Sequence, residues 1–535
     1  MNRLVAVVVW VVVAGAVGAQ GPELSYVSPS AVTPGGTTVV TFHGMNLAGV
    51  VSLWTSFPAK AERMEGGGSG QVSFRVSVAK DVPVGIAGVR VGGKNGVSSL
   101  MLVLVDDLPT ITASGNNRTG TRAQRIDFPE AVDGVCEPGA SQFYRFEGKC
   151  GQRVSAEVVA QRLGSQLDPV VRVTDSGGRE LAYCDDEEGL GGDCRTGCVL
   201  PADGEYVVEV RDTKYDGGPE YRYRLRVGDF PLVTAPFPLG RQGDTEAEFV
   251  FCGPDIEGVT PIKLVMPTGV DKVALGPKRL KGKSSAIISA VVGRWAEVVE
   301  EEPNDTPATA TVVALPGAVD GRLGRAGDRD WYQFGARKGQ KIIAKGMTRS
   351  LGCPCDAVLK LTRPDGGVLA ESKPTAADEG SVSAVVPADG VYRLMVQDIA
   401  GRGGPEMAYR VEINADGAFS LSADVEKIET TAAATFEVPV TCTREGYTGE
   451  IKLAVDGVEG LLVEKGVIDT GKDSAKMRVK LPVDVRPGVY GFRISGRGGD
   501  APPVRVSTAP ALKKLWPTMP YPPGELDGWI GLGVR

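Results

Sequence analysis

Histidine is nearly missing from this sequence: His43 stands alone in 535 residues. Any scheme pairing a histidine with a serine or cysteine nucleophile, or a metal site built on several histidines, therefore has one position to draw on. Aromatic residues are scarce at 6%, and neither sign of charge dominates, with Lys+Arg 59 against Asp+Glu 66 and a formal net charge of -7. No global positive field exists to gather nucleic acid or an acidic membrane. A long apolar run occurs only at the start, where Arg3 precedes an apolar stretch from Leu4 to about Val17, followed by Gly18 and Ala19. This is the layout of a cleavable secretory signal, residues 1–19. The run is shorter than the ~20 residues a bilayer span needs, so no transmembrane anchor is expected. The remaining chain is expected to be secreted, or to reside in the periplasm or cell envelope.

Export changes how the nine cysteines read. Five of them (Cys136, Cys150, Cys184, Cys194 and Cys198) lie close together, and the rest are Cys252, Cys353, Cys355 and Cys442. An oxidising compartment favours disulfides within the crowded segment, with at least one thiol left over. The spacings C-x3-C and C-x-C, with no paired C-x2-C and no nearby histidine, argue against zinc.

Gly 72 and Pro 36 make about a fifth of the chain, rich in turns but below the ~25 to 30% of low-complexity disorder. The length suggests three to five modules at ~100 to 200 residues each. Strand patterns dominate. In YRYRLRV, Tyr221, Tyr223, Leu225 and Val227 alternate with Arg222, Arg224 and Arg226, which places apolar groups on one sheet face and cations on the other. Short strands bounded by Gly, Pro, Asp and Asn predict an all-β chain of tandem β-sandwiches.

An internal repeat sets the boundaries. FPEAVDG from Phe128 recurs as LPGAVDG from Leu315, FYRF from Phe143 as WYQF from Trp331, and Asp168 as Asp356. LPADGEY from Leu200 recurs as VPADGVY from Val386, and GGPE from Gly217 as GGPE from Gly403, at an offset of about 187 residues throughout. That period exceeds the ~20 to 50 residues of a solenoid unit, so a whole domain is repeated.

Both copies resemble the bacterial pre-peptidase C-terminal (PPC) domain, a jelly-roll-like sandwich found on secreted proteases and in other secreted proteins. The second copy carries EEPNDT (Glu301 to Thr306), GDRDWYQF (Gly327 to Phe334), Asp356, PADGVYRLMVQD (Pro387 to Asp398) and Tyr409; the first lacks the acidic opening. VSPSAVTPGGTTVVTFHGMNL resembles the start of an immunoglobulin-like domain of the plexin and transcription-factor (IPT/TIG) type, and two later segments resemble looser immunoglobulin-like modules. The expected layout is 20–106 immunoglobulin-like, 107–228 first repeat copy, 229–296 immunoglobulin-like spacer, 297–414 second copy, 415–507 immunoglobulin-like, and 508–535 an irregular Pro-rich tail.

The resemblance implies a calcium site at the opening of the second copy. In the related collagen-binding domains of collagenases, an acidic linker and the acidic loop before the aromatic strand bind calcium, and Glu300, Glu302, Asn304, Asp305, Asp328 and Asp330 match those positions. Calcium takes six to eight oxygens in flexible geometry, which a linker and a loop can supply; the plain alternative is a solvated charge run and turn residues. The repeat offset replaces Glu302, Asp305, Asp328 and Asp330 by Gly115, Arg118, Ala140 and Gln142, leaving Asn117, so the first copy is not expected to bind calcium there. Disulfides are expected to take the metal's place as its cross-link. The acidic loop at Asp185, Asp186, Glu187, Glu188 and Asp193 reads as a solvated loop.

Other motifs fail on spacing. GPKRLKGKS from Gly276 has one residue too many between its glycines for a phosphate loop, and GGGSGQ around Ser69 lacks nucleophile-elbow spacing. His43 has no acidic or nucleophilic neighbour in sequence and reads as structural. The expected function is a non-catalytic extracellular protein acting in adhesion or in binding a protein or polysaccharide; the alternative is an accessory or targeting component of a secreted peptidase system.

Overall fold

The computed structural model of the protein describes residues 21–187, 189–373, 378–415, 417–499, 501–519 and 521–535. The expected signal, residues 1–19, lies outside the described residues, as does Glu188 of the acidic loop. The architecture is all-β, a series of β-sandwiches with one short helix, Ala509–Leu515. None of the described helices is long and apolar enough to cross a membrane. Alternation builds the sheets. Thr435–Glu445 buries Phe436, Val438, Val440 and Cys442 and pairs with Ser474–Lys480, setting Val479 and Met477 opposite Phe436 and Val438 on the same buried face.

The two repeat copies share one topology. In the first copy, one sheet runs Thr110–Thr112, Glu130–Val135, Arg222–Gly228, Arg153–Val159, Cys194–Val199. The facing sheet runs Gln124–Arg125, Gln142–Gly148, Gly204–Asp212, Pro169–Asp175, Glu180–Cys184. The second copy repeats both orders, with Glu297–Val299, Gly317–Arg322, Ala408–Asn414, Lys341–Met347, Ser381–Val385 facing Thr311–Val312, Asp330–Ala336, Gly390–Asp398, Ala357–Thr362, Val368–Glu371. Each sheet opens on a short parallel pair. Tyr144, Phe146 and Tyr206 fill the first core where Tyr332, Phe334 and Tyr392 fill the second.

The cationic face of Arg222–Gly228 is turned inward at a module junction. Arg224 and Arg226 are fully buried. Arg224 donates to Asp106 at 2.8 Å and Asp133 at 2.9 Å, and Arg226 to Asp106 at 3.2 Å and Glu157 at 2.5 Å. Burial opposes ionisation of Glu157, but Arg162 and Arg226 outweigh it and hold the carboxyl down to about 2. In the second copy, Arg410 occupies the place of Arg224 and donates to Asp320 at 2.8 Å and to Glu297. The paired aspartates also grip the preceding module: Asp133 accepts from the Ser30 N–H at 2.6 Å, and Asp320 from those of Leu239 and Gly240 at 3.0 and 3.1 Å. A smaller β-sandwich module and the repeat copy after it thus form a two-module unit that occurs twice.

The stretch after Ser507, expected to be irregular, is ordered. Beyond the helix, Ile530–Val534 inserts between Lys427–Thr430 and Gly488–Arg497 and buries Ile530, Leu532 and Val534 in the last core. Its intervening glycines face the first module, where a Cβ on Gly531 would come within 2.8 Å of Arg90 and one on Gly533 within 2.9 Å of Val97. Small residues there let two sheets approach backbone to backbone. Arg90, fully buried, donates to Glu426, and the Val489 N–H donates to Ser52 Oγ at 2.8 Å, so the last module is docked on the first.

Candidate metal centre

The acidic linker of the second copy leaves strand Glu297–Val299 and passes over the start of Asp330–Ala336. A backbone bond holds it there, the Trp331 N–H donating to the Asn304 carbonyl at 2.9 Å, and within the linker the Asn304 N–H donates to the Glu302 carboxylate at 2.9 Å. Carboxylate oxygens of Glu302, Asp328 and Asp330 thereby lie within 4.8 Å of one another. These three residues could hold a metal ion.

Glu300 extends the cluster. One of its oxygens accepts the Arg322 N–H at 2.6 Å, and its carboxyl adjoins Asp330. Asp328 accepts the Gly324 N–H at 2.7 Å, and Asp330 accepts the hydroxyl of Tyr409, which is bonded to Tyr332 at 2.6 Å. Each side chain is thus anchored by one oxygen. The other oxygen, on Glu300, Asp328 and Asp330, is buried without a hydrogen-bond partner, as are both side-chain polar atoms of Asn304. Native interiors rarely leave such groups unpaired, and each costs about 1 to 3 kcal/mol or more when charged.

Burial first, and then the adjoining Asp330, raise the Glu300 carboxyl to about 9. Burial likewise raises Asp330 to about 7. A divalent cation among them would supply the missing partner of the unpaired oxygens and favour the ionised forms. Oxygen-only donors on a linker and a loop suit a hard cation. Asp305 lies at the edge of the cluster and shares Arg325 with Asp328, whose carboxylate that guanidinium meets at 3.6 Å. It is claimed by Arg325 at 2.6 Å, a hydrogen bond that holds its carboxyl below the usual range.

The first copy keeps the backbone and loses the charge. The Phe143 N–H donates to the Asn117 carbonyl at 2.7 Å, and Tyr144 meets Tyr223 as Tyr332 meets Tyr409. Gly115, Ala140 and Gln142 replace the three converging carboxylates. Arg118 pairs with Glu137 where Asp305 pairs with Arg325, so the same bridge occurs with its signs exchanged. That exchange is readable in the two sequences once aligned.

All nine cysteines are free thiols in this structure, so the cross-links expected in the first copy are not formed. Burial and the neighbouring Cys184 hold the Cys194 thiol well above its ordinary range. In the acidic loop, Asp193 is fully buried and accepts from Arg162 at 2.7 Å and from the Ala160 and Gln161 N–H groups, which makes it a structural anchor rather than a solvated residue. In the basic cluster, Arg279 ties the Asp229 carbonyl and the Asp255 carboxylate.

No family model matches the chain. A stretch of 75 residues is 39% identical to a probable subtilase-type serine protease of Deinococcus radiodurans, covering 14% of this chain and 10% of the protease. Among solved structures, the chain is similar to SGBP-B from a xyloglucan utilization locus of Bacteroides uniformis (12% identity, 39% of this chain and 73% of that one, TM-score 0.16). It is also similar to SGBP-B of Bacteroides ovatus in complex with a mixed-linkage heptasaccharide (12%, 74% and 76%, TM-score 0.17). A tetra-tandem repeat of a large adhesion protein matches at 11% identity over 91% of this chain and all of that one, with a TM-score of 0.11. At these scores the likenesses carry no functional weight.

Proposed function

We propose that the chain is an exported, non-catalytic binding protein that attaches to an extracellular polymer, with calcium fastening the opening linker of its second repeat copy to the sandwich. The observation that supports calcium is the set of buried, unpartnered oxygens on Glu300, Asn304, Asp328 and Asp330 beside Glu302. Calcium at about a hundred times its dissociation constant stabilises a folded state by about 2.7 kcal/mol, a rise of several degrees in the melting of the second copy. Scanning calorimetry of the full chain in calcium and in chelator tests this; identical transitions overturn it. The polymer is tested by binding of the full chain to a panel of extracellular proteins and polysaccharides, and no binding across the panel overturns that part.

A second reading, an accessory of a secreted peptidase, is favoured by the 75-residue match to the subtilase-type protease. Co-purification of the chain with a peptidase from its own culture medium supports it, and a chain recovered alone overturns it.

A further inference from the structure

A cavity of about 520 Å³ opens between the first immunoglobulin-like module, the first repeat copy and the end of the C-terminal helix. At the matched place in the second two-module unit the opening is smaller, a cavity of about 160 Å³ that touches Thr234, Leu351 and Gly352, the counterparts of Ser25, Leu163 and Gly164. Strand register fixes the correspondence, with Tyr26 opposite His43 in one unit and Ala235 opposite Cys252 in the other. The repeat offset matches Leu163 to Leu351, Ser165 to Cys353 and Arg222 to Ala408. In the second unit Ala235, Cys252, Leu351, Cys353 and Ala408 pack into one buried apolar cluster. In the first, Tyr26, Leu163, Ser165 and Arg222 line open space instead. His43 stacks on Tyr26 at 4.3 Å, and the Arg222 guanidinium lies 3.4 Å from the centre of the same ring. The first junction thus presents polar and aromatic walls where the second packs small apolar side chains.

Five consecutive residues, Leu24 to Ser28, line the cavity. Strand side chains alternate between faces, so an unbroken run means that the wall is the backbone edge of the strand. Glu23–Ser28 is the outermost strand of its sheet and pairs only with Thr37–Met45. A free edge is a template for another extended chain. Of the charged groups that line it, Asp133 is occupied by Arg224 and Ser30 and Glu137 by Arg118, Glu220 is exposed at the rim, and Arg222 has no carboxylate partner among the described residues. A guanidinium in that position suits a carboxylate. Trp516 adds a half-buried indole to the lining.

We propose that this cleft takes an extended acidic polypeptide segment as an added strand along Glu23–Ser28, with a carboxylate of the segment on Arg222. It rests on the proposed function and names the polymer as protein. The test is fluorescence anisotropy on the full chain with a labelled Thr/Val heptapeptide carrying one central Glu, the same peptide with Gln, and a labelled oligogalacturonate. The Glu peptide is expected to bind at least about tenfold tighter than the Gln peptide. Arg222→Ala, which installs the residue found at the matched position 408, is expected to erase that difference. Ser165→Leu, which fills the cleft, is expected to weaken both peptides by about tenfold or more, with thermal melting of both variants reporting that they fold. Equal binding of the two peptides, binding untouched by Ser165→Leu in a folded variant, or binding of the oligogalacturonate alone overturns the proposal. Failure of the cleft with polymers still captured from the panel leaves the proposed function standing; failure of both removes both.

Discussion

The two repeat copies have the same strand order and the same paired tyrosines, yet they treat the linker over their aromatic strand in opposite ways. In the second copy Glu300, Glu302, Asp328 and Asp330 crowd carboxylates into a partly dry space. In the first, Gly115, Ala140 and Gln142 leave the same backbone neutral. The comparison teaches that the fold does not need these charges, because the copy without them makes the same sandwich. Their cost in the second copy is what supports the proposed calcium.

The largest effect should come from what the copies share. Arg224→Met and Arg410→Met each strand buried carboxylates, and denaturant titration should show a loss of about 3 to 5 kcal/mol for either; a loss confined to one copy would break the equivalence of the two units. Next comes the centre that only the second copy has. Asp328→Asn with Asp330→Asn should abolish the difference between calcium and chelator in calorimetry, whereas Gln142→Glu in the first copy should create none.

A smaller effect is expected from pH in chelator. The folded-state values of Glu300, about 9, and Asp330, about 7, lie above their ordinary values. The stability tied to their protonated forms is complete below about pH 4 and is lost as pH rises through 7 and 9. The second copy should therefore soften from mildly acidic to alkaline pH without metal, and calcium should flatten that slope; a transition independent of pH in chelator would count against the buried cluster. The smallest effect belongs to the exchanged bridges. Arg118→Asp with Glu137→Arg should leave the melting temperature unchanged, since both pairs are solvent-exposed and such pairs contribute little.

Much of this was legible in the sequence. Alternation in YRYRLRV, the repeated PADG turns and the carboxylates at 300–305 and 328–330 needed only period and spacing to be read. What stayed hidden depends on partners distant in the chain. Arg224 and Arg226 looked like a cationic face because the groups that neutralise them are distant in the chain, Asp106 just after strand Met101–Val105 and Glu157 on strand Arg153–Val159. IGLGV fell within the stretch 508–535 expected to be an irregular Pro-rich tail, because the partners that its glycines answer to, Arg90 and Val97, lie in another module. The pairing of His43 with Tyr26 and Arg222 likewise exists only across a strand pair and a module boundary.

The glycine seam between the last strand and the first module also bears on order of assembly. Val489 and Ser52, bonded across that seam, are separated by 437 positions in the chain. During synthesis from the amino end, the first module emerges early with Arg90 and Val97 still uncovered. Its contacts there wait for Ile530–Val534. A chain cut short before that strand would leave Arg90 and Val97 exposed, so the packing of the first module depends on residues made more than four hundred positions later.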